Sequence, residues 1–137
     1  MTVLSRGDIL NSKIPTIEVD VDEWGGSVFV RAPSSRSRID MLDVVHANER
    51  AIDDYEQDQL LPEGEREGLE KVERLEYAYV ELIFGIVDDK GERLFSMDDY
   101  EQLLTLNYPT ILHLYGQMKT LDKRPAPIKK KRVSTRR

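Results

Sequence analysis

The sequence predicts an α+β fold that is mainly helical: an N-terminal β-hairpin packed on a bundle of about four helices, with a disordered basic tail. Three observations carry that expectation. Residues 16–32 alternate between apolar and polar, the period of a half-buried strand. From Ser35 onward apolar residues recur every three or four positions in separate stretches, the period of a helix face. From Lys123 to the end there are eight Lys or Arg and no acid, a composition that cannot bury enough apolar surface to fold. Residues 1–122 are therefore expected to form a single domain around a modest core, and residues 123–137 to stay outside it.

Residues 1–15 read as a lead-in. Asp8 is placed to cap a short helical turn through Ile9, Leu10 and Asn11, which Pro15 ends. The hairpin follows, with Gly25-Gly26 as a two-residue turn, since such turns need φ > 0. That register sets Trp24 opposite Ser27, Val21 opposite Val30, Asp20 opposite Arg31 and Val19 opposite Ala32. One face then carries Ile17, Val19, Val21, Val28, Val30 and Ala32. The other carries Trp24, Phe29 and an Asp20–Arg31 pair. A hairpin alone is marginal in water, so its apolar face must meet the helices.

After Pro33 the serines at 34, 35 and 37 offer an N-cap for a helix from Ser35 to about Gln57, with Met41, Val44, Val45, Ile52 and Tyr55 on one face. Asn48 interrupts that stripe. Leu60 to Gly64 is a break, containing both proline and glycine. A second helix is expected from about Glu65 to Val87. Val72, Leu75, Tyr79, Leu82, Ile83 and Ile86 form its main stripe; Tyr77, Val80, Phe84 and Val87 form another. Its apolar second half marks it as central. Asp88 to Gly91 is a turn. Ser96 with Asp99 resembles a capping box opening a short helix through Met97, Tyr100, Leu103 and Leu104. Pro109 suits the first turn of a last helix along Ile111, Leu114, Tyr115, Met118 and Leu121.

No catalytic constellation emerges, and the chain reads as a non-enzyme without cofactor or metal. The chain has no cysteine, hence no thiolate nucleophile or zinc site. His46 and His113 lie in different helices at no metal-ligand spacing. Paired acids such as Asp53-Asp54 and Asp98-Asp99 are expected in a chain with 26 acidic residues. No apolar run approaches the roughly 20 residues of a membrane span, and the first ten residues do not read as a secretory signal. A cytoplasmic location follows as the default. The net charge of −6 becomes −14 for residues 1–122 once the eight tail cations are set aside. Two features remain for binding: the aromatic side of the hairpin, Trp24 and Phe29, with Tyr77 and Phe84 on the second stripe of the central helix; and the basic run Lys129, Lys130, Lys131 and Arg132, suited to polyanions. That run lacks the interleaved aromatics of a specific nucleic-acid site.

At the hairpin the chain resembles a known family. The lead "ILNSKIP", the acidic "EVDVDEWGGSVFVRA" and the following Ser/Arg-rich helix start look like the tail assembly chaperones of long-tailed bacteriophages. The resemblance is strongest from Leu4 to about Ile52, with Val21, Glu23, Trp24, Gly25, Gly26, Val28, Val30 and Arg31 as its matching core. It implies a non-enzymatic protein of the host cytoplasm, absent from the mature virion, that binds and solubilises the tape measure protein during tail morphogenesis. It further implies the tail tube protein as a partner of a longer, frameshifted form; a homo-oligomer is left open. The rival readings are a small polyanion-binding accessory protein acting through the basic tail, and a structural tail component.

Overall fold

The structure, a computed structural model, describes residues 2–122. The tail 123–137, with Lys129, Lys130, Lys131 and Arg132, lies outside the described residues. In chain order the elements are α1 (Arg6–Leu10), β1 (Thr16–Val21), β2 (Gly26–Arg31), α2 (Ser35–Gln59), α3 (Tyr77–Gly85), β3 (Ile86–Val87), α4 (Tyr100–Leu103) and α5 (Tyr108–Lys119). The α+β expectation holds, with helices dominant and the hairpin at the N-terminal end. In the lead-in the cap is Ser5, whose side chain accepts from the Asp8 backbone N–H, while the Asp8 carboxylate returns the bond to Ser5. Asp8 is thus the third residue of a capping box rather than the cap itself.

The hairpin register differs from the expected one. Asp20 faces Ser27, Val19 faces Val28 and Ile17 faces Val30, a displacement of four residues. Because side chains alternate with a period of two, an even displacement keeps every residue on its face. Val19, Val21 and Val30 are buried as the pattern requires. The connection is longer than two residues. Asp22–Trp24 form one 3-10 turn, Gly25 donates its N–H to the Asp22 carbonyl, and Gly25 alone is left-handed, at φ 75°. Gly26 is already the first residue of β2. Arg31 does not pair with Asp20. Its guanidinium donates to the carbonyl of Gly91 at 2.7 Å, in the turn after β3.

The segment expected as one helix from Glu65 to Val87 is three things. Residues 66–76 run beside α2 without regular secondary structure, α3 occupies only Tyr77–Gly85, and Ile86–Val87 form a third strand against β2. Side chains from elsewhere hold this strap. Buried Asp58, at the end of α2, accepts from the N–H groups of Glu67, Gly68 and Leu69 at 2.7–3.2 Å. Gly68 takes φ 77°, which breaks any helix there. Asn48 donates to the Glu73 carbonyl and accepts from the Leu75 N–H, both at 3.0 Å. The Tyr100 hydroxyl accepts from Glu76 N–H at 2.8 Å. These bonds replace the ones a helix would have made within itself.

The central role of α3 is as expected: all residues from Tyr79 to Gly85 are buried. A nine-residue helix is too short to be stable alone, so packing holds it. Its end approaches closely. A Cβ on Gly85 would strike Met118 Sδ and sit 3.2 Å from the Arg31 carbonyl oxygen. The core joins Val19, Val21 and Val30 of the sheet to Met41 of α2, Val80, Leu82 and Ile83 of α3, Leu103 of α4, and Ile111, Leu114 and Met118 of α5. The Ser96–Asp99 capping box is present, and Pro109 sits in the first turn of α5.

Candidate functional site

The four aromatic residues singled out in the sequence do not form one surface. Trp24 leaves the strand ladder with the register change and ends the turn at the hairpin tip, 42% exposed. Phe29 stands half-buried on β2, between Glu18 and Val87 in the sheet. Tyr77 opens α3, half-buried, with its hydroxyl accepting from the Arg38 guanidinium at 3.0 Å. Phe84 is core, 5% exposed, and the Arg93 guanidinium lies 4.0 Å from its ring centroid. A partner cannot reach Phe84 without displacing that cover. Gly25 keeps its expected role as the turn residue, and Gly26 does not share it.

The tip that carries Trp24 is anchored. Thr110, buried in the first turn of α5, donates its hydroxyl to the Glu23 carboxylate at 2.6 Å, and Asn107 donates to the same Thr110 oxygen at 3.0 Å. The Thr110 bond is the main reason the Glu23 carboxyl sits below its ordinary value, with His113 adding attraction. A carboxylate at a helix N-terminus is also favoured by the helix dipole. In the sequence Glu23 stands out only as part of a family motif. Its structural partner lies 87 residues away, and no local signal marks it.

A second constellation ties α5 to α3. Glu81 is a single acid in an otherwise apolar helix and is buried. It accepts from the Tyr115 hydroxyl and from Lys119 Nζ, both at 3.1 Å. Burial works against the Lys119 charge, but bonds to Asp122 and Glu81 outweigh it and hold the ammonium above its ordinary value. The Tyr115 phenol is pushed up by burial, and further by Glu81. Every member of this cluster has a partner, which suits a fastening rather than a reactive site. Among the described residues no group of three His, Asp or Glu side chains has metal-holding geometry. Among them too, no helix is long and apolar enough to cross a membrane.

What the surface does offer is apolar side chains outside the core on an acidic body. Val3, Leu4, Ile9 and Leu10 are exposed around α1, which buries none of its residues. Leu104, Leu106, Tyr108 and Leu112 are exposed from the end of α4 into α5. Between the strap and α4 lies a groove of about 580 Å³, lined by Glu73, Arg74, Leu75, Glu76, Tyr100, Glu101 and Leu104. Leu75 and Tyr100 fall on helix stripes in the sequence, and the groove between them arises only because residues 66–76 are not helical.

The phage tail assembly chaperone family model matches residues 10–131 of the chain. No curated protein matches it. Among solved structures, the bacteriophage HK97 tail assembly chaperone is similar at 20% sequence identity, over 84% of this chain and 90% of that one, with a TM-score of 0.49.

Proposed function

The chain belongs to the phage tail assembly chaperone family, and on that premise we propose that it binds and solubilises the tape measure protein during tail morphogenesis. Its action is non-enzymatic and takes place in the host cytoplasm, and it leaves before the virion is complete. The observation that carries this reading is the family match over most of the chain, and the surface is consistent with it. A holder of helical apolar segments needs reachable apolar side chains on a body that stays soluble. Trp24, Leu104, Tyr108 and Leu112 supply the first, all more than a third exposed. The net charge of −14 over residues 1–122 supplies the second.

Trp24 is the first anchor to test. It sits on a turn clamped to α5, so its ring is presented with little conformational freedom to lose, which favours binding. Co-expression with the tape measure protein of the same phage is the direct experiment. The expected result is a soluble complex that survives size-exclusion chromatography, with a negative heat-capacity change of association from apolar burial. Trp24→Ala should weaken that complex by about 2 kcal/mol while leaving the melting temperature close to that of the parent. A tape measure protein equally soluble without this chain, with no complex after purification, would refute the reading.

A further inference from the structure

We propose that the groove between residues 73–76 and α4 is a seat for a cationic amphipathic helix, with its apolar side chains on Leu75, Tyr100 and Leu104 and its Lys or Arg facing Glu73, Glu76 and Glu101. The inference rests on the client-binding reading and adds the place and the charge of the client segment.

The groove runs along a strap that is fastened to α2 on one side and to α4 on the other. Asn48 fixes Glu73 and Leu75 toward α2 through their backbone groups, and the Tyr100 hydroxyl pins the Glu76 N–H. Leu75 is half-buried, Tyr100 is nearly covered and Leu104 is 39% exposed, so the groove mixes polar and apolar surface, with Leu104 its most accessible apolar side chain. Its volume of about 580 Å³ falls in the range of roughly 300–1,000 Å³ typical of binding pockets. The rim has one sign. Glu73, Glu76 and Glu101 form no salt bridge among the described residues, and the one cation on the rim, Arg74, is engaged by Glu49 of α2. An incoming carboxylate would meet three like charges, and an incoming ammonium or guanidinium would meet three partners. Apolar side chains spaced three and four apart with basic flanks match both features at once.

The probe is a fluorescein-labelled peptide of sequence LKKLLKLLKKLLKL, compared by anisotropy with its counterpart carrying Glu for every Lys. The full chain should bind the Lys peptide about tenfold or more tightly than the Glu peptide. Leu104→Ser and Glu101→Lys should each weaken Lys-peptide binding about tenfold. Asp20→Lys, an equal charge change at the distant hairpin strand, should alter it by less than about twofold. Equal loss from Asp20→Lys and Glu101→Lys would overturn the proposal in favour of diffuse charge attraction. So would Lys-peptide binding that appears only after residues 123–137 are removed, which would assign the groove to the chain's own basic segment. A tape measure protein held in solution equally well by the parent and both groove variants would overturn the groove and leave the client-binding reading intact.

Discussion

Asn48→Leu separates two accounts of residues 65–76 by the sign of its effect. On a helix stripe, Asn48 is a flaw, and leucine should repair it. Along a non-helical strap, Asn48 is the fastening, and leucine removes it. The side chain makes two bonds of 3.0 Å to the strap backbone, at the Glu73 carbonyl and the Leu75 N–H. Each is worth about 1 kcal/mol net. Leucine at a half-buried position recovers about 1 kcal/mol by apolar burial at most. The balance is a loss of about 1–2 kcal/mol, or a fall in melting temperature of roughly 4–8 °C for a chain of this size. Thermal unfolding by circular dichroism reads the global effect. Hydrogen exchange at the Leu75 amide reads the local one, and that amide should become fast. A variant that melts at or above the parent, with Leu75 still protected, would refute the strap assignment.

Two further outcomes follow from the same geometry. Gly25→Ala should cost about 1 kcal/mol, because an L-residue resists φ 75°, whereas Gly26→Ala should cost less than about 0.5 kcal/mol, since nothing lies within 4 Å of its would-be Cβ; paired chemical melts check both. Asp58 titrates below its ordinary 3.8, chiefly through the Glu67 N–H and then those of Leu69 and Gly68. The unfolded chain then binds its proton more readily, so the contribution is present above pH 3.8 and is lost as pH falls through the lower folded value. Melting the parent and Asp58→Asn across pH 2–6 should show the Asp58 advantage shrinking toward the acid end.

What the sequence revealed and what it hid follow from the range of the forces involved. The hairpin faces were legible because alternation is local, and they survived a register error because the displacement was even. The register itself was not legible, because Asp22–Trp24 form a 3-10 turn closed by left-handed Gly25 where a two-residue Gly-Gly turn fits the pattern equally well. The Ser96–Asp99 box was legible at a separation of three residues. The stretch from Glu65 to Tyr77 carries a genuine helical period, yet Asp58, Asn48 and Tyr100 offer its N–H groups other partners, and Gly68 yields. On the candidate site, Trp24 was recognisable as a large aromatic in an acidic turn. Phe84 was legible as part of the apolar, central half of its helix, but its particular cover, Arg93 folded back from the following turn, was not. The groove was hidden entirely, as its walls come from two segments whose relation depends on the strap.

The third strand has a consequence for how the chain is made. β2 pairs with Ile86 and Val87, more than fifty residues downstream. At roughly 5–20 residues per second, a ribosome takes about 3–11 s to supply them, whereas a hairpin closes in microseconds. During that interval the nascent hairpin has an apolar face without α3 or α5 beneath it, and a β2 edge with open N–H and C=O groups. Edges of that kind recruit other strands. On a polysome, nascent copies of this hairpin would stand close together. The acids at Glu18, Asp20, Asp22 and Glu23 then repel one copy from the next until the remainder of the fold arrives.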